Sequence, residues 1–124
     1  MLRRLSGVLR WAVRDQTLEY RDRHFEGQCV LCLKPIQLNE CHVDHIPPDT
    51  FQRLVANWLL TVRLTAEDIA IQASAKYETE SRLEDQVLEQ SWQEYHAINA
   101  RLRCVCKRCN LSIIRKTSPA KKVE

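Results

Sequence analysis

At 124 residues, 44% hydrophobic and 28% charged with a formal net charge of +3, the chain has the size and composition of one compact soluble domain, which excludes a disordered tail or a multidomain assembly. No segment approaches the roughly 18 to 20 apolar residues of a membrane span. Two glycines and four prolines are too few turn formers for a many-stranded sheet. The expected fold is α+β and mostly helical with a small hairpin, and a chain this small gains from a structural metal.

The charge is segmental. Residues 1–25 carry net +3, residues 26–64 net −1, residues 65–95 net −6 and residues 101–124 net +7. A phosphate backbone would be drawn to the two ends and repelled by the middle, although each run also reads as a solvated helix face. Arginines at 3, 4 and 10 interrupt any apolar run of signal-peptide length. An Arg-rich transit peptide is the alternative. The expectation is a cytoplasmic protein whose six cysteines are reduced and serve as metal ligands.

In chain order, residues 6–26 lack proline, and Trp11, Leu18 and Phe25 recur at heptad spacing beside Leu9 and Val13. The pattern predicts one amphipathic helix stopped by Gly27, with Arg10, Arg14, Arg21 and Arg23 on a polar face that suits DNA contact and plain solubility equally. Cys29-x-x-Cys32 forms a tight knuckle, and the run from Ile36 to Ile46 is a strand or loosely paired arm ended by Pro47-Pro48, whose ring nitrogens cannot donate to a ladder.

Asp49 or Thr50 can cap a helix in which Phe51, Leu54, Val55, Trp58, Leu59 and Val62 form a core stripe. Thr65-x-x-Asp68 has the form of a capping box. From Ile69 to Tyr77 strand and helix cannot be separated. A second strong helix is predicted over 82–100, with Val87, Leu88, Trp92, Tyr95 and Ile98 inward and its acids outside. Residues 101–105 read as extended, leading into Cys106-x-x-Cys109, a short basic helix over 110–116 and a Pro/Lys tail. Lys107, Arg108, Arg115 and Lys116 are the candidate phosphate contacts.

Four thiolates are a soft, closed, tetrahedral set, the arrangement expected of structural Zn²⁺, and each Cys-x-x-Cys puts both sulfurs on one knuckle. The stretch between Cys32 and Cys106 is far longer than in ordinary zinc ribbons, so joining Cys29, Cys32, Cys106 and Cys109 into one site is an inference. Cys41 and Cys104 are read as small core residues. Asp44 and His45 are adjacent, so on an extended strand they point to opposite sides: one can bind a hard divalent cation while the other addresses a water. Asn110 directly follows the last ligand cysteine. Phosphodiester hydrolysis needs such a pair, a base titrating near neutrality and a cation to stabilise the developing charge.

The order Cys-x-x-Cys, His-x-Asp-His, then Leu-Arg-Cys-Val-Cys-x-x-Cys-Asn resembles the HNH (ββα-metal) endonucleases, most closely the zinc-containing branch of phage endonuclease VII-type resolvases. The resemblance covers residues 27–48 and 101–116. It implies a two-strand hairpin and a helix held by one Zn²⁺ on the four cysteines, with a catalytic Mg²⁺ or Mn²⁺ on Asp44 and Asn110. It further implies His45 as general base and His42 as an auxiliary contact near the scissile phosphate. The implied partner is DNA, with a second copy of the chain or an immunity, phage or defence protein as further partners, and no membrane. Two departures stand out: Arg101 occupies a position where many members carry Asn, and residues 49–100 form a long insertion. His96, at the end of the second strong helix, could reach the site, but a helix-end histidine is more often structural and is read so here.

The chain is therefore expected to be a single HNH nuclease domain. Its segments are an N-terminal helix (1–26), the first knuckle and catalytic strand (27–48), a helical insertion (49–100), the second strand, knuckle and metal-binding helix (101–116) and a flexible tail (117–124). The alternative is a catalytically inactive zinc-bound module that binds nucleic acid or protein. A thiol-redox enzyme is a more remote one, because it needs a thiolate free of zinc.

Overall fold

A computed structural model of the chain describes residues 2–72 and 81–112, an α+β arrangement dominated by helices. Its backbone divides into two compact units, the first built from Met1–Asp15 and Phe51–Asn99 and the second from Gln16–Thr50 and Ala100–Glu124.

The first unit is helical. Helix α1 (Leu2–Ala12) buries Leu5, Val8 and Leu9 at helical spacing, with Val13 just beyond its end. Helix α3 (Phe51–Val62) buries Phe51, Leu54, Val55 and Trp58, the inner part of the predicted stripe, while Leu59 and Val62 are half-buried. After it, the Thr65/Asp68 capping box closes one 3-10 turn, Ala66–Asp68, with the Asp68 carboxylate accepting from the Thr65 backbone N–H at 2.8 Å. The ambiguous stretch resolves in part as a strand: β2 (Ile71–Gln72) pairs antiparallel with β3 (Arg82–Leu83), and residues 73–80 lie outside the described ones. Helix α4 (Gln86–Asn99) carries Trp92 into the core, where its ring meets Phe51 and Trp58 edge-on at 5.7 and 5.5 Å and its indole N–H donates to the Leu9 carbonyl at 2.9 Å.

Two helix predictions need correction. Residues 6–26 do not form one helix: α1 ends at Ala12 and α2 (Arg14–His24) begins after Val13. Val13 N–H bonds back to Arg10 at 3.3 Å, a tightened last turn, and the Arg14 guanidinium donates to the Trp11 carbonyl at 3.1 Å. That side chain takes up one of the carbonyls that end a helix. Nothing rewards continuing the helix, because α2 buries no residue and Leu18 of the supposed heptad stripe is 45% exposed. Gly27 does adopt the left-handed φ of 87° expected of the stop.

The second correction concerns α4, where Val87 and Ile98 face solvent and Glu89 and His96 are buried. Counting three or four residues either way from Trp92 reaches Leu88, Glu89, Tyr95 and His96, not 87 or 98. Glu89 tolerates burial because Arg82 grips it at 2.7 Å.

In the second unit, β1 (His42–His45) pairs antiparallel with β4 (Leu102–Val105), in a register that matches His42 with Val105, Val43 with Cys104, Asp44 with Arg103 and His45 with Leu102. The strand is shorter than the predicted 36–46 arm. A 3-10 turn at Leu38–Glu40 precedes it, held by the Glu40 carboxylate accepting from Gln37 N–H at 2.7 Å, and Ile46 leads to the Pro47–Pro48 pair. Helix α5 (Lys107–Leu111) starts directly at the second knuckle, three residues earlier than predicted, and packs against β1. Residues 113–124, including the predicted end of the basic helix and the tail, lie outside the described ones.

A four-cysteine cluster beside an Asp-His strand

The two knuckles fold back on themselves. In the first, Leu33 N–H bonds to the Cys29 carbonyl at 2.8 Å and Cys29 N–H to the Lys34 carbonyl at 2.9 Å, with exposed Leu33 at φ 65° completing the turn. The amides of Leu31 and Cys32 point at the Cys29 sulfur from 3.4 and 3.5 Å. In the second, Cys106 is the N-cap of α5 and its sulfur accepts from Cys109 N–H at 3.4 Å. Val30 N–H bonds to the Cys104 carbonyl at 3.0 Å, which ties the first knuckle to β4.

The sulfurs of Cys29, Cys32, Cys106 and Cys109 all lie within 4.8 Å of one another, and no cysteine forms a disulfide. A tetrahedral Zn²⁺ with bonds of about 2.3 Å sets its sulfurs about 3.8 Å apart. The Cys32 and Cys106 sulfurs are separated by 3.8 Å. Donor type, number and spacing thus suit a structural zinc ion, which this cluster could hold. Burial pushes the Cys29 thiol up, but the amides of Cys32, Cys106 and Leu31 and the Cys32 side chain outweigh it and bring it down to about 7, toward the thiolate a metal needs.

Among the described residues, no other group of three or more His, Cys, Asp or Glu side chains comes this close. Cys41 and Cys104 stay outside the cluster, as expected. Cys104 is buried and Cys41 half-buried, and burial followed by the neighbouring Cys41 thiol pushes Cys104 up to about 12.

Of the remaining predicted site residues, Asp44 and His45 are buried on β1, His42 is half-buried at its start, and Asn110 is half-buried on α5 with its N–H bonded to the Cys106 carbonyl at 2.9 Å. The ladder sends Asp44 and His45 to opposite faces, since their partners Arg103 and Leu102 alternate. Lys107 and Arg108 are exposed on α5, whereas Arg115 and Lys116 lie outside the described residues. Arg101 forms an ion pair with Asp49 at 3.5 Å. His96 belongs to the helical unit, fully buried with its ring 5.6 Å from Trp92, in keeping with its structural reading.

One residue was missed. Arg103 Nε donates to Asp44 Oδ2 at 2.9 Å, and the two side chains are 5% and 2% exposed. Part of a signal was there to read: Arg103 is the lone charge in the apolar run from Leu102 to Cys106, but only the register of β1 against β4 makes Asp44 its partner. The oxygen donors Asp44 and Asn110 suit a hard divalent cation by type. Their fit is incomplete, because Oδ2 already carries a guanidinium.

No family model, curated protein or solved structure matches the chain. Among the described residues no helix is long and apolar enough to cross a membrane.

Proposed function

We propose that the chain is a metal-dependent DNA endonuclease of the HNH type, hydrolysing phosphodiester bonds with His45 as general base and Asp44 and Asn110 as ligands of the catalytic cation. The observation that carries the reading is the pairing of β1 with β4. The strand bearing Asp44 and His45 runs beside the strand that enters the second knuckle, and the helix bearing Asn110 starts at that knuckle and packs on β1. The two stretches, far apart in sequence, form one hairpin-and-helix unit.

In this reading the neutral His45 imidazole accepts a proton from the attacking water. His42, on the same strand, contacts the phosphate. Lys107 and Arg108 supply contacts to the DNA backbone, which set affinity and position without reading sequence. A bound Mg²⁺ or Mn²⁺ would stabilise the charge on the phosphorus oxygens and the leaving group. Zinc on the four cysteines holds the two knuckles together and takes no part in the chemistry.

A second reading, a zinc-bound module without activity, draws on the Asp44–Arg103 ion pair, which neutralises the carboxylate inside the protein. Plasmid nicking separates the two. Zinc-loaded protein is assayed with and without added Mg²⁺ or Mn²⁺, and His45→Ala should lower cleavage roughly 100- to 10,000-fold while zinc content and DNA binding persist. Cleavage by His45→Ala at the wild-type rate, or no cleavage under any cation, refutes the endonuclease.

A further inference from the structure

Asp44 and Arg103 are direct partners in the β1–β4 ladder, so their side chains rise from neighbouring backbone positions on one face of the hairpin. Their contact is therefore built in by the register and is not a chance meeting of long surface side chains. The guanidinium Nε lies 2.9 Å from Oδ2, and both groups are nearly sealed from water. In such a place a carboxylate needs a positive partner, and a guanidinium and a divalent cation compete for that role. Each satisfies the same oxygen, and each repels the other.

We infer that Arg103 is an internal competitor for the divalent cation: it occupies Asp44 Oδ2 in the cation-free protein, and a cation gains Asp44 only as the guanidinium leaves. The inference rests on the reading of Asp44 as a cation ligand. It makes Arg103 a residue that sets the cation requirement of the site without being needed to bind the cation. An arginine suits this task because it stays charged at any working pH, so the competitor is never switched off by deprotonation.

The test measures Mn²⁺ affinity of the zinc-loaded full chain by the electron paramagnetic resonance of free Mn²⁺. Arg103→Gln, which keeps a hydrogen-bond donor near Asp44 and removes the charge, should bind Mn²⁺ roughly 10- to 100-fold more tightly than wild type, the order by which one bound group commonly shifts another's affinity. Adding Asp44→Asn to that variant should abolish the gain. Unchanged or weaker affinity in Arg103→Gln overturns the competition. A gain that survives Asp44→Asn overturns it too, and removes Asp44 from the cation site.

Should Arg103→Gln fail to fold, the wild-type chain carries the test through arginine Nε–H and carboxyl carbon resonances during a Mg²⁺ titration. The Arg103 Nε–H and Asp44 carboxyl signals should move together along one saturation curve. Movement of Asp44 with Arg103 unperturbed, or no response of either in large Mg²⁺ excess, overturns the inference. Neither readout involves cleavage, so failure of the endonuclease reading shows separately, in the His45→Ala plasmid assay.

Discussion

Removing one thiolate, by Cys106→Ser, should unfold the knuckle unit and not merely weaken its metal. Among the described residues of that unit the buried side chains are Cys29, Cys104, Val105, Cys106 and Cys109 with the polar Asp44, His45 and Arg103, and Leu31, Cys32 and Ile36 are only partly buried against the cluster. Among the described residues of the unit Val105 is the one fully buried aliphatic, and burying it is worth about 1.5–3 kcal/mol. A structural zinc in small knuckle peptides contributes roughly 10–16 kcal/mol near neutral pH. A zinc ion held by the four cysteines would thus be the dominant stabilising term of the unit. Serine at 106 can still cap α5, because its hydroxyl can accept from the Cys109 N–H that bonds to the Cys106 sulfur in the wild type, so the loss reports the metal and not the cap. The assay is hydrogen exchange of the amides that close the unit, Val30 to the Cys104 carbonyl and Ile46 to the Arg101 carbonyl, with released zinc titrated in parallel. Cys106→Ser should lose zinc and protection together. α3 and α4, whose core contains no cysteine, serve as internal reference. Full protection at Val30 and Ile46 in a zinc-free protein would refute the reasoning.

Two further outcomes concern the helical unit. Burial, with the nearby Arg10 charge, lowers the His96 pKa from 6.5 to about 4, so the folded state holds fewer protons than the unfolded one between those values. Stability should therefore fall as pH drops from about 6.5 toward 4, by on the order of 3 kcal/mol, and His96→Leu should flatten that dependence in urea melts followed by tryptophan fluorescence. Arg82→Ala strands the Glu89 carboxylate, which is 3% exposed and held at 2.7 Å. It should cost roughly 1–3 kcal/mol, and Glu89→Gln in the same background should recover part of the loss in thermal melts.

What could be read from the sequence was whatever a local pattern encodes. Phe51, Leu54, Val55 and Trp58 recur at helical spacing and α3 follows, and Thr65 with Asp68 announces its own turn. The four clustered cysteines were legible by chemical type, because soft donors in two knuckles have few other uses. Features set by what lies beyond the element itself were not legible. Glu89 faces inward because Arg82 of another element meets it, so a rule that puts acids outside fails there. The break at Val13 depends on α2 having no apolar surface to cover, which a heptad of Trp11, Leu18 and Phe25 conceals. Arg103 escaped for the same reason: its importance lies in the register of β1 against β4, which neither strand carries alone.

That register gives the Asp44–Arg103 pair a role in either reading of the hairpin. A buried ion pair contributes little net stability, and an apolar pair of similar size would do as well or better, so stability alone does not account for it. Slipping β1 by one residue, however, would set Asp44 opposite Leu102 or Cys104 and leave a carboxylate and a guanidinium buried without each other. Breaking such a pair costs roughly 3–5 kcal/mol, enough to reject the slipped ladder. The same ladder carries Cys104, whose carbonyl receives Val30 of the first knuckle, and it ends at Val105, directly before Cys106 of the second. One ion pair therefore holds both halves of the cysteine cluster in register with the strand of Asp44 and His45. An exchange of Arg103 for a cation at Asp44 would preserve that alignment only while the incoming charge takes over the guanidinium's place on the carboxylate.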